Sequence, residues 1–247
     1  MIFPGKWLRR KASRPGYDSV AAYQRHLDSK LKIHRGNRDL AFATAIGASS
    51  VALFHEQGDA HVAVLRHHGL ADGMAVFDLG CGCGRTAQAL QRSGWRGGYI
   101  GTDILPGFIA ELRAKCPGYE GYVHPEPTIR AADGSLDLVY HWSVFTHLPP
   151  EQCFLYLRDT FRALSPGGRT VFSFMEMGAL HQRVFDDRVD RISRGKNLNL
   201  MDAFLHRDWL ARWADQIGFA PPTFTDGEDA ANHPPFWQSL AVMTKPA

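Results

Sequence analysis

Residues 76–84 read Val76-Phe77-Asp78-Leu79-Gly80-Cys81-Gly82-Cys83-Gly84, and Gly101-Thr102-Asp103 follows one helix-length later. A short apolar strand ends in a carboxylate and runs into a turn with glycine at every second position. A second strand then ends in another carboxylate. Glycines let a backbone turn sharply and lie close to a ligand, because no Cβ stands in the way. In dinucleotide folds an acid about 20 residues beyond the glycines accepts hydrogen bonds from ribose hydroxyls, and Asp103 stands at that distance. The pattern predicts a parallel α/β sheet with a nucleoside-containing ligand lying across its carboxyl edge.

The spacing narrows the choice of ligand. A dinucleotide site uses G-x-G-x-x-G, whose third small residue lets the helix pack and face pyrophosphate. Here the glycines are Gly80, Gly82 and Gly84, and Arg85 occupies the place of that third glycine. Asp78 would also set negative charge beside a pyrophosphate, whereas it suits a ligand with an ammonium and a sulfonium group. On these residues the chain resembles the class I S-adenosylmethionine-dependent methyltransferases, whose first motif has the form acid-x-G-x-G-x-G; the phrases further along resemble a bacterial small-molecule branch of them.

The rest of the chain alternates strand and helix in the manner of a doubly wound sheet. Strands are predicted over 74–79, 98–102, 119–123, 136–141 and 168–175, with helices over 84–93, 106–115, 150–164 and 207–217. Upstream, 17–33 and 60–68 have helical periodicity, with Arg35-Gly36-Asn37 as a stop. Segments 222–225 and 236–244 read as a closing antiparallel pair, since a parallel neighbour would need a crossover of a dozen residues. The resemblance implies a mainly parallel seven-stranded, Rossmann-like methyltransferase sheet with a reversed last strand. The expected division is a tail and helical cap over 1–59 and a methyltransferase domain over 60–247.

Several downstream phrases carry the resemblance further. Ser143-Val144-Phe145-Thr146-His147-Leu148, then Phe161-Arg162-Ala163-Leu164-Ser165-Pro166-Gly167-Gly168-Arg169, occur at the family's distances from the first motif. Pro166-Gly167-Gly168 reads as a helix stop and a turn into the fifth strand. The resemblance implies that Asp78, Gly80, Cys81, Gly82, Gly84, Asp103, Ile104, His141 and Trp142 surround S-adenosyl-L-methionine. Trp142 either covers a substrate or fills core. After the third strand the family usually shows a polar residue for the adenine amino group; no side chain here matches it, which leaves backbone near 127–131.

Methyl transfer from a sulfonium needs mainly alignment of the acceptor, and a base only when a hydroxyl or ammonium must lose a proton. His147, just beyond the fourth strand, is the candidate base, since imidazole titrates near neutral pH; otherwise it lines the pocket. The segment 176–206 far exceeds the usual ~2–6 residues of an α/β connection and reads as a substrate lid. Its His181, Arg183 and His206 are candidate acceptor contacts, as is Tyr23 from the N-terminal helix. The run 186–191 reads as a solvated helix face.

Composition excludes other classes. The 247 residues are 45% hydrophobic and 21% charged with a net charge of +3, an ordinary globular balance too weakly basic to imply nucleic acid. An Asn/Asp-Pro-Pro-Tyr type motif is absent after the fourth strand, which argues against nucleobase acceptors. The four cysteines match no zinc spacing and read as reduced residues of a cytoplasmic protein, with no metal site. No apolar run reaches the ~20 residues of a membrane span. The basic segment 1–14 reads as a tail. The expected activity is methylation of an O or N on a small molecule, sugar-containing or a secondary metabolite. The alternatives are a protein or RNA methyltransferase and a non-catalytic cofactor-binding module.

Overall fold

The computed structural model describes residues 19–196, 202–227 and 237–247. The basic segment 1–14, the start of the first helix at 17 and Phe236 of the predicted last strand lie outside these residues. Three helices come first, α1 (Ser19–Ile33), α2 (Arg38–Ala45) and α3 (Val51–His67). An alternating series follows: β1 (Ala75–Leu79), α4 (Arg85–Arg92), β2 (Gly98–Asp103), α5 (Pro106–Lys115), β3 (Glu120–Val123), β4 (Leu136–His141), α6 (Pro150–Ala163) and β5 (Leu164–Phe174). It ends with α7 (Ala179–Ser193), α8 (Arg207–Ile217), β6 (Thr223–Thr225) and β7 (Ser239–Thr244).

The seven strands form one sheet in the order β3-β2-β1-β4-β5-β7-β6. β7 runs antiparallel to both β5 and β6, and the pairs among β1 to β5 are parallel. The reversed strand expected from the sequence is therefore present, seated between β5 and β6. The fold is a doubly wound, Rossmann-like sheet.

Strand alternation sends successive residues to opposite cores. Phe77, Val139, Phe172 and Ala241 face α6 and α8, while Val76, Leu138, Val171 and Leu240 face α3, α4 and α5. This two-sided burial is why β1 and β4 read as continuous apolar runs. Helix ends follow local chemistry. Asn37 caps α2 by accepting from the Leu40 N–H, Ser50 caps α3 through the Leu53 N–H, and proline opens α5 and α6.

Three expectations are corrected. α2 has no counterpart in the sequence reading; the expected stop at Arg35-Gly36-Asn37 does follow the end of α1 at Ile33, and the Asn37 side chain also starts a new helix. α3 begins at Val51, well before residue 60, so one helix crosses the expected boundary between cap and domain. The Pro166-Gly167-Gly168 turn lies inside β5: Leu164 already pairs with Leu136, and the register resumes at Arg169 opposite Leu138. The glycines form a bulge in the strand rather than a turn ahead of it. A third core cluster, with Leu27, Phe42, Phe54, Cys83, Leu105 and Phe108, fastens the N-terminal helices to the carboxyl edge.

Candidate active site

β1 and β2 pair in register from Ala75↔Gly98 to Leu79↔Thr102, which places Asp78 and Asp103 at the same edge of adjacent strands. The turn after β1 is sewn to β2. The Cys81 N–H donates to the Thr102 carbonyl at 2.9 Å, and the Gly82 N–H donates to Asp103 Oδ2 at 3.0 Å. The other oxygen of Asp103 accepts from the Leu105 N–H at 2.9 Å, which starts α5. Asp103 thus fixes both the glycine turn and its own helix.

Glycine is required where the turn is most crowded. Gly80 has φ +67°, and a Cβ there would stand 2.4 Å from Val144 Cγ2. Gly82 has φ +55°, with Ile46 Cγ2 at 3.2 Å from the same imagined atom. Both positions combine a left-handed backbone with close approach, so any side chain would displace the residues that wall the turn.

Asp78 is buried, and among the described residues its hydrogen bond comes from the Tyr99 hydroxyl at 2.7 Å. Burial raises its carboxyl to about 7, against the Tyr99 hydrogen bond and the more distant Arg85, which lower it. Burial likewise raises Asp103 to about 6, opposed by its backbone donors. Two under-compensated acids side by side favour a ligand that brings positive charge and hydroxyl donors to this edge. Arg85 does not face it: its guanidinium donates to Gln57 Oε1 and the Ile46 carbonyl, both at 2.6 Å, holding α2 and α3 on α4.

The thiols of Cys81 and Cys83 are buried and their titration is raised by burial, Cys83 to about 12. All four cysteines are free and buried. Ile104 packs with Tyr23 and Ile46 against the third core cluster. His141 ends β4, buried, with Phe172 stacked 4.9 Å away and its imidazole lowered to about 3 by burial. Trp142 turns to the α3 side, where its ring meets that of His61 at a tilt of 30°, centroids 4.7 Å apart.

β4 leads into a short 3-10 turn, Phe145–His147. There the half-buried His147 meets Tyr23 of α1 edge-on, with ring centroids 5.5 Å apart. The segment 176–206 contains α7 and returns onto this turn, the Ala203 N–H donating to the Thr146 carbonyl. His181, in the first turn of α7, is buried, its two ring nitrogens beside the carbonyls of Glu176 (2.9 Å) and Trp237 (2.7 Å). Arg183 is exposed on α7. His206 caps α8, accepting from the Asp208 N–H. Tyr23 and His147 therefore come together, while His181, Arg183 and His206 do not join them in one cluster. Near 127–131 the backbone is partly committed: Asp159 accepts the Ile129 N–H, and Arg162 holds the carbonyls of Ile129 and Ala131.

Tyr99, Val144 and Ile46 escaped the sequence reading. Tyr99 is one residue of an apolar strand, and nothing local marks its partner 21 positions away. Val144 and Ile46 reach the glycines only through the fold.

Residues 76–168 match the family model described as a methyltransferase domain. An arsenite methyltransferase of Aquipseudomonas alcaligenes is 32% identical over 117 residues, which cover 42% of this chain and 33% of that protein. The chain thus spans about a third of the length of this curated relative. Among solved structures, phosphoethanolamine N-methyltransferase 2 of Haemonchus contortus aligns with a TM-score of 0.63 at 14% identity, over 91% of this chain and 60% of that one. Magnesium protoporphyrin IX methyltransferase of Synechocystis, solved with S-adenosylmethionine, aligns with a TM-score of 0.59 at 15% identity, over 94% and 100%. A TehB-like methyltransferase of Corynebacterium glutamicum gives 0.57 at 19%, over 91% and 100%. At these identities the structures attest the fold. The strand, glycine turn and paired acids lie inside the segment 76–168 that matches the methyltransferase domain, on a Rossmann-like fold shared with these structures.

Proposed function

We propose that the chain transfers the methyl group of S-adenosylmethionine to an oxygen or nitrogen of a small molecule, with a sugar-containing or secondary metabolite as the class of acceptor. The observation that carries the reading is the pair of raised carboxylates, buried Asp78 and half-buried Asp103, flanking bare glycine backbone at the ends of β1 and β2. The residues fit the cofactor: Asp78 meets its positive charge, Asp103 accepts from the ribose hydroxyls, and Gly80 to Gly84 offer backbone where side chains would intrude. Ile104, His141 and Trp142 complete the proposed surroundings.

The bound cofactor supplies a methyl carbon activated by a positively charged sulfur. The protein's part is to hold the acceptor in line and to take its proton. A His147 ring nitrogen would take the proton from a hydroxyl or ammonium acceptor, freeing the lone pair that the activated methyl group would receive. Tyr23 walls that imidazole from the α1 side. The N-terminal helices act as a cap and 176–206 as a lid, with Arg183 and His206 the members of its candidate set that are exposed to meet an acceptor. The name of the arsenite relative does not extend to this chain's acceptor, because its four buried cysteines offer no thiolates to a thiophilic substrate.

Thermal shift with S-adenosylhomocysteine and with NAD tests the cofactor site, and labelled S-adenosylmethionine with fractionated small-molecule extracts tests the acceptor. A shift with S-adenosylhomocysteine alone and label transferred to a small-molecule fraction are expected. A shift with NAD alone would overturn the reading, and label entering only protein or RNA would overturn the acceptor class.

A further inference from the structure

Ser143 takes φ +56°, a left-handed conformation that costs a residue bearing a Cβ. It stands between the end of β4 and the turn that carries Val144 and His147. Three side-chain hydrogen bonds close a ring around it. The Ser143 N–H donates to Ser173 Oγ at 2.7 Å, the Ser173 hydroxyl donates to Gln238 Oε1 at 2.7 Å, and Gln238 Nε2 donates to Ser143 Oγ at 2.7 Å. Ser173 is fully buried in β5, so Gln238, just ahead of β7, is braced against the sheet. The Thr146 hydroxyl then donates to the Ser143 carbonyl at 3.0 Å, and the His147 N–H to the Val144 carbonyl at 2.9 Å, propagating the bend.

We propose that Gln238 is a positioning residue for methyl transfer, holding Ser143 left-handed so that Val144 seats on Gly80 and His147 faces the acceptor beside Tyr23. The assignment of an acceptor rests on the proposed function; the geometric part does not. A strained backbone persists only where its surroundings over-determine it, and here the determining contact comes from a residue 95 positions along the chain. Gln238 also follows Trp237, whose carbonyl meets His181 in the first turn of α7. The lid helix and the turn bearing His147 are therefore fastened to two consecutive residues of one strand lead-in.

The test pairs Gln238→Ala with the double variant Gln238→Ala, Ser143→Gly, because glycine adopts the left-handed conformation without help. Amide hydrogen exchange on the ligand-free protein reads the turn directly. Exchange at Ser143 and His147 should rise at least roughly tenfold in Gln238→Ala, which removes two partly buried hydrogen bonds. In the double variant the His147 amide should regain protection. Amides of β1 and β2 should stay protected in both variants, which separates loss of the turn from loss of the fold. With an acceptor in hand, kcat should fall in Gln238→Ala and recover in the double variant while affinity for S-adenosylhomocysteine holds. Unchanged exchange at Ser143 and His147, or a double variant as loose as the single, would overturn the proposal. Wild-type protein that binds no S-adenosylhomocysteine would overturn the methyltransferase reading instead, and the exchange data would still decide the role of Gln238.

Discussion

Tyr23 of α1 stands edge-on to His147 of the turn after β4, ring centroids 5.5 Å apart and planes at 72°. Edge-to-face contact suits the ring quadrupole, and it leaves the imidazole fixed against the cap helix at the carboxyl edge. His147→Ala should lower kcat by about 10²–10⁴-fold if the imidazole takes the acceptor proton, with S-adenosylhomocysteine affinity nearly unchanged. Tyr23→Leu should act mainly on acceptor KM. Steady-state kinetics with calorimetry separates the two. Loss of cofactor affinity with normal turnover at saturation would make His147 a pocket wall.

Asp103 serves structure and ligand together. Asp103→Ala should weaken S-adenosylmethionine binding roughly ten- to hundred-fold, since a hydrogen bond to a charged group is worth about 1.5–3 kcal/mol. It should also lower Tm, because the Gly82 and Leu105 N–H groups lose their acceptor. Asp103→Asn keeps one acceptor oxygen and should lose less Tm than affinity. Calorimetry and thermal melts on both variants check this; an unchanged dissociation constant removes Asp103 from the site.

Asp78 and Asp103 make ligand-free stability depend on pH. Both folded values, about 7 and about 6, lie above the ordinary carboxylate value of 3.8. The folded state therefore binds the extra protons, and the stability from these groups is full below about pH 4 and lost as pH rises through 6 to 7. S-Adenosylmethionine favours ionised Asp78, so its affinity should rise across the same window. Melts and calorimetry between pH 5 and 8 measure both trends, and Asp78→Asn should flatten them.

Helix α7 buries His181 alone among its described side chains and presents Arg183 to solvent, with Arg194 exposed just past its end. Few buried contacts mark an element of low local stability. Trypsin should cut within 176–206 faster in the free protein than with S-adenosylhomocysteine and acceptor bound, as lids order on ligand binding. Mass spectrometry of a time course identifies the cut sites. Equal rates in both states would make the segment a fixed part of the surface.

The sequence by itself determined the sheet's parallel half, the glycine turn and the two acids, because each is a local signal: an apolar run, a spacing or a strand ending. The helices 106–115 and 207–217 were legible for the same reason, with proline or a capping side chain at one end and a stop at the other. α2 was not, since its eight residues owe their burial to the third core cluster rather than to periodicity. The tertiary structure alone decided which side chains meet. Asp78 finds Tyr99 across a strand pair, Tyr23 finds His147 across 124 positions, and Ser143 is held left-handed by Gln238. Contacts between residues so far apart leave no periodicity to read; they exist only once the sheet has fixed the distance between strand ends.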